Sequence, residues 1–151
     1  MPENWKEAMS MKSEREAKLE WLSRSKPLRL RLIGLKAERA ERLSRADYGG
    51  ISYGERCGHS GNGTELKYAA LAETEEEIAE VQRDLDHIEA EIRYAVEQVQ
   101  SPICQTYLRM RFLAYKSERQ IAAETGYSFH YIDNVVRKKA IDFVKIVGNS
   151  G

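Results

Sequence analysis

Residues 117–141 read SERQIAAETGYSFHYIDNVVRKKAI, and the order of caps, turn and apolar positions in this stretch decides the fold. Ser117 followed three places later by Gln120 is a capping box, so a helix is expected to begin there. Ile121 and the small Ala122 fall where that helix must pack closely on a second one. Gly126 stands where the turn needs a positive φ, which glycine adopts without steric cost. Ser128 is then placed to cap the second helix. Within it, Ile132, Val135, Val136 and Ala140 recur at three- and four-residue spacing and make one apolar face. The opposite face carries Phe129, His130, Asp133, Asn134, Arg137 and Lys138, which is short, polar and basic. The pattern predicts a helix-turn-helix whose second helix is shaped to enter a DNA major groove.

On that expectation the candidate DNA-binding residues are Ser128, Phe129, His130, Asp133, Asn134, Arg137 and Lys138. Arg137, Lys138 and the adjacent Lys139 would neutralise phosphates and give a salt-dependent affinity. Asparagine can bond adenine in two places and an aromatic ring can meet a thymine methyl, so Asn134, His130 and Phe129 are placed at base edges. Ser128 and the neighbouring amides would grip phosphate. The other reading keeps the same turn for protein contact alone, because a fold does not dictate its use.

A bare two-helix motif has too little core to stand by itself. Ser101-Pro102 starts a further helix, serine as cap and proline in its first turn, and Ile103, Tyr107, Leu108, Met110 and Phe112 would close over the motif as a third wall. After Ile141, the residues Phe143, Val144 and Ile146 are placed to extend and lock the last helix.

Upstream the most regular helix of the chain is expected. Leu71, Ile78, Leu85, Ile92 and Val99 are spaced by seven, with Thr74, Val81, Ile88 and Ala95 in the second seam position, which specifies a coiled-coil seam. Asn62 and Glu65 offer a capping box by position at its start. Pro27 opens another helix, to about Ala46, with two apolar stripes: Leu28, Leu32, Leu35, Leu43 and Ala46, and beside them Leu30, Ile33, Ala37 and Ala40. Two stripes predict a helix sandwiched between neighbours. Between these helices lies DYGGISYGERCGHSGN, residues 47–62, a glycine-rich loop by composition. Residues 3–23 suit a further helix carrying Trp5, Leu19, Trp21 and Leu22.

Charge is segregated beneath a net of zero, from 24 basic and 24 acidic side chains. Residues 24–45 carry a net of +6, residues 64–100 a net of −8, and residues 101–151 a net of +4. Opposite charge favours folding the Pro27–Ala46 helix back on the acidic helix. A second copy of the chain is the other candidate partner for the seam, giving a homodimer. The fold class is therefore all-α. Residues 1–100 form a helical hairpin or coiled-coil arm with its glycine-rich loop at 47–62, and residues 101–151 a helix-turn-helix domain.

Other functions are poorly served. No apolar run approaches a membrane span and no signal peptide precedes the chain, so it is expected in the cytoplasm. Cys57 and Cys104 make no disulfide framework, and Cys57 with His59 lacks the second ligand pair that structural zinc needs. No phosphate-binding glycine loop follows a strand, and the three histidines have no nucleophile or acid at a motif spacing. No enzyme activity, cofactor, metal or small-molecule substrate is expected.

The segment YLRMRFLAYKSERQIAAETGYS, with Ile132 and the tail RKKAI, resembles region 4 of bacterial sigma-70-class factors. That resemblance implies binding to a promoter element as double-stranded DNA and contact with RNA polymerase. The bulky Phe129 and Tyr131 depart from it where the reading helix begins, and nothing in residues 1–100 resembles the aromatic cluster with which a full sigma factor melts DNA. In layout the chain is similar to small phage and prophage proteins of the ArpU and RinA type, which implies a phage-encoded, sequence-specific transcriptional regulator. Two alternatives stay open: a DNA-packaging protein of the small terminase kind, with the hairpin driving ring assembly, and a helical protein–protein adaptor.

Overall fold

The computed structural model describes residues 14–53 and 60–146. Among them there is helix and no strand, the all-α fold that the periodicities predict. Trp5, Cys57 and His59 lie outside the described residues, as does the expected helix from Glu3 as far as residue 13.

The elements in order are α1 (residues 14–22), α2 (Ser25–Tyr53), α3 (Ser60–Glu97), α4 (Pro102–Leu108), α5 (Glu118–Thr125) and α6, which runs from Phe129 to Phe143. Two of them contain a wide turn with i→i+5 bonding. One continues α4 through Arg109–Leu113, and the other occupies Ile132–Val136 inside α6. Pro27 sits in the first turn of α2, where a missing N–H costs nothing.

Of the stretch expected as a loop at 47–62, residues 47–53 and 60–62 are helical, and residues 54–59 lie outside the described residues. Helix α2 continues to Tyr53 and α3 is already helical at Ser60, two residues before the Asn62 expected to cap it. Glycine weakens a helix by roughly 1 kcal/mol per residue, but adding a residue to an existing helix is far cheaper than nucleating one. No proline stands in this stretch to force an end.

Among the described residues the chain divides into two compact units. Residues 14–25 together with 87–146 form one, and the described part of Lys26–Asp86 forms the other. The cause lies in α3, whose seam continues unbroken past its midpoint, so its last turns serve the C-terminal core.

In the Lys26–Asp86 unit, α2 packs antiparallel on α3. Leu32, Ile78, Val81 and Leu85 are buried together, with Leu28 and Leu35 beside them. Each such side chain contributes about 1.5–3 kcal/mol of burial as an upper estimate. Arg31 pairs with Glu77 at 3.0 Å, and further along α2 the carboxylate of Glu38 accepts from Thr74 Oγ1 at 3.1 Å, so the direction of pairing is reversed. Thr74 occupies a seam position and is 3 % exposed; its hydroxyl also lies 3.0 Å from the Ala70 carbonyl. A satisfied polar group in an apolar seam fixes register at some cost in stability. Of the first stripe of α2, Leu28, Leu32 and Leu35 are packed inside this unit, while Leu43 is exposed. Leu30 and Ile33 stay more than half exposed, so the sandwiching predicted from two stripes is not supplied there.

In the other unit one core collects Leu22 of α1, Ile92, Ala95, Val96 and Val99 from the end of α3 and beyond, Cys104, Tyr107, Leu108 and Phe112, Ile121 and Ala122, and Ile132, Val136, Ala140, Ile141 and Val144. Tyr107 and Phe112 meet edge to face with centroids 6.4 Å apart. Helix α6 ends at Phe143, and Val144 locks it down from extended backbone, fully buried, while Phe143 itself is exposed.

Candidate functional site

The site is built on the α5–turn–α6 segment. Ser117 accepts from the Gln120 amide at 3.2 Å, and the Gln120 side chain accepts from the Ser117 amide at 2.9 Å, so the capping box is complete. Gly126 ends α5 at φ 84° and ψ 1°, and its N–H bonds to Ala122 O. A Cβ there would meet nothing within 4 Å, so glycine is needed for its backbone freedom and not for space. Ser128 then caps α6 by accepting from the Tyr131 amide at 3.1 Å.

Behind this frame a polar network sets α5 against α4. Glu118 accepts from the Tyr107 hydroxyl at 2.9 Å and from Arg111 Nε at 3.0 Å, and Arg111 also donates to the Lys116 carbonyl at 3.4 Å. Burial works to raise the Glu118 pKa, but the Tyr107 hydrogen bond and the Arg111 charge outweigh it and hold the carboxyl below its usual range. Burial, with the bond to Glu118 second, pushes the Tyr107 phenol well up. At the chain's other entry to this unit, Arg15 of α1 makes a bidentate pair with Asp142 at 2.9 and 2.8 Å, and Lys18 donates to the Asp142 carbonyl at 2.8 Å.

The expected site residues separate into two rows. His130, Asn134 and Lys138 are exposed and follow one another at four-residue spacing. Asp133 and Arg137 are half-buried, and Arg137 lines a recess with Arg15, Glu16, Leu19 and Ile141, so it is drawn toward α1. Phe129 is partly exposed, and the Arg119 guanidinium lies over its ring at 4.5 Å from the centroid. Ser128 is exposed and engaged as a cap. Opposite these rows Ile132 and Val136 are buried, which leaves α6 one outward face.

Sequence periodicity missed Arg119 and the pair Tyr127 and Tyr131, whose exposed rings lie 5.4 Å apart. Arg119 belongs to α5, and no spacing within α6 announces it. Tyr127 precedes Ser128 and Tyr131 donates its amide to it, so both tyrosines stand at the start of α6. His130 and Asn134 are joined: Asn134 Nδ2 lies 3.0 Å from His130 Nδ1 and 3.1 Å from the His130 carbonyl oxygen. Among the described residues no group of three or more His, Cys, Asp or Glu is placed to hold a metal, and no helix is long and apolar enough to cross a membrane.

No family model, curated protein or solved structure matches the chain.

Proposed function

We propose that the chain is a sequence-specific DNA-binding regulator of transcription, with α5 and α6 acting as a helix-turn-helix and α6 as the reading helix. One observation carries this reading. The exposed row His130, Asn134 and Lys138 stands on a helix whose reverse side is locked into the core by Ile132, Val136 and Ala140. A rigid helix that offers one outward face of hydrogen-bonding and cationic side chains suits the major groove, where base edges are read between two phosphate walls. Arg119 and Lys139 add cationic charge at the borders of that face, and Ser128 brings the N-terminus of α6 to where a phosphate would lie.

The remaining parts of the reading rest on the sequence. RNA polymerase as second partner follows from the resemblance to sigma region 4, a phage-encoded gene from the layout shared with ArpU- and RinA-type proteins, and a cytoplasmic place of action without catalysis or cofactor from the lack of any targeting or catalytic motif. The exposed Leu30 and Ile33 on α2 support a second reading, in which self-association through the α2–α3 unit assembles a homodimer or a packaging ring of the small terminase kind.

The test is an electrophoretic mobility shift on phage promoter and packaging-site fragments, comparing the intact chain with an Asn134→Ala, Lys138→Ala double variant. The expected result is a sequence-selective shift that the variant loses. Absence of a selective shift at low salt for the intact chain would refute the proposal and leave protein contact as the use of this face. A selective shift by a ring-shaped oligomer would move the assignment to packaging.

A further inference from the structure

Resting on the DNA-reading proposal, we infer that His130 and Asn134 act as one composite reading unit, and that its target is an adenine in the major groove. The argument starts from the two contacts of the Asn134 amide. The atom 3.1 Å from the His130 carbonyl oxygen faces a group that only accepts, so it is the amide nitrogen. The same nitrogen lies 3.0 Å from His130 Nδ1. Both of its N–H bonds are therefore engaged within α6. The consequence for the imidazole is a fixed tautomer: Nδ1 accepts, so the proton of the neutral ring sits on Nε2.

What remains for a ligand is one acceptor, Asn134 Oδ1, and one donor, His130 Nε2–H. Both residues are exposed. Adenine presents a donor, its N6 amino group, beside an acceptor, N7. Guanine offers two acceptors there, cytosine a donor alone, and thymine an acceptor beside a methyl group. Adenine is the single base that satisfies both remaining groups by itself, whereas a C·G pair offers a donor and an acceptor only across its two bases. This differs from the familiar asparagine–adenine contact, in which one amide supplies donor and acceptor together, because here the amide donors are already committed. Locking both side chains before binding also reduces the rotamer entropy lost when the base is engaged.

The experiment selects duplexes from a random pool with the full-length chain. It then replaces the selected adenine by 7-deazaadenine, which lacks N7, or by purine, which lacks the 6-amino group. The intact chain should bind each replacement about fivefold more weakly, the weight of one hydrogen bond. An Asn134→Ala variant should ignore loss of the amino group and still respond to loss of N7, since His130 supplies that donor. A His130→Ala, Asn134→Ala variant should ignore both. If a His130→Ala variant still responds to loss of N7, asparagine reads the base alone and the composite unit is wrong. Selection of a sequence in which no adenine responds also overturns it, while leaving DNA reading intact. Failure to select any sequence removes the DNA reading itself and this inference with it.

Discussion

The Tyr107 hydroxyl donates to the Glu118 carboxylate at 2.9 Å, and Tyr107 is 1 % exposed. This bond ties the helix that builds the third wall to the first helix of the candidate reading motif, so it sets α5 against α4.

Removing the acceptor leaves a buried hydroxyl without a partner, which costs about 1–3 kcal/mol. Glu118→Ala is expected to destabilise the unit by that amount and Glu118→Gln by less, measured as loss of amide hydrogen-exchange protection over residues 102–143. The pH dependence has a definite sign. The folded-state pKa of Glu118 is depressed, by the Tyr107 bond and Arg111 acting against burial, so its contribution is present above the ordinary carboxylate range and lost as pH falls through the folded value. Glu118→Gln should flatten that part of the acid-unfolding profile.

Gly126 tests whether the turn is held by backbone conformation alone. With φ at 84° and no atom within 4 Å of where a Cβ would stand, Gly126→Ala meets conformational cost and no clash. A loss of about 1–2 kcal/mol is expected. Gly126→Asn should lose less, because asparagine tolerates the left-handed region better. Equal losses for the two variants, in thermal unfolding, would point to a steric cause instead.

The parts of the fold that were legible in the sequence are those whose signal is local. Ser117 with Gln120, Gly126, and Ser128 each state a backbone requirement within a few residues, and each requirement is met. The α3 seam was legible because one period runs from Leu71 to Val99. Its division between two cores was not, since periodicity shows that a face is buried and not against what. The Arg15–Asp142 pair spans 127 positions and has no periodic signature. The wide turn at Ile132–Val136 also escaped, because an i→i+5 turn has no residue code comparable to a cap. For the candidate site, the outward residues His130, Asn134 and Lys138 could be named from spacing. The half-burial of Arg137 beside α1 and the His130–Asn134 bond are set by tertiary packing and rotamer choice, which no spacing encodes.

Arg15 and Lys18 hold α1 to the end of α6 through Asp142. The groups remain partly exposed, so the pair is worth at most about 1 kcal/mol. An Arg15→Ala, Lys18→Ala variant should lose exchange protection in residues 14–22 while residues 118–136 keep theirs. The Arg15 hydrogen bonds hold the Asp142 pKa down against partial burial. The attachment is therefore present above the ordinary carboxylate range and lost as pH falls through the depressed value. Raised salt should loosen it as well.

Leu32 probes the α2–α3 pairing. It is 6 % exposed among Ile78, Val81 and Leu85, and Leu32→Ala removes a core side chain at a typical cost of about 2–5 kcal/mol. Hydrogen exchange should rise across residues 28–35 and 74–85. Unchanged protection there would show that charge pairing such as Arg31–Glu77, and not the apolar seam, holds the two helices together.

Lys138 and Arg137 separate the outward row from the half-buried one. A side chain that neutralises one phosphate contributes about 0.9 to the slope of log affinity against log salt. Lys138 is exposed on the row shared with His130 and Asn134, whereas Arg137 is drawn into the recess beside Arg15, Glu16 and Leu19. Lys138→Ala is therefore expected to lower the slope by about one unit and to weaken binding evenly across sequences. Arg137→Ala should change the slope less and act mainly on stability. Asn134→Ala should leave the slope unchanged and lower only the preference among sequences. Binding measured across a range of salt concentrations distinguishes the three outcomes. If Arg137→Ala lowers the slope as much as Lys138→Ala, then Arg137 leaves its recess on the DNA, and the face that meets phosphate is wider than the exposed row.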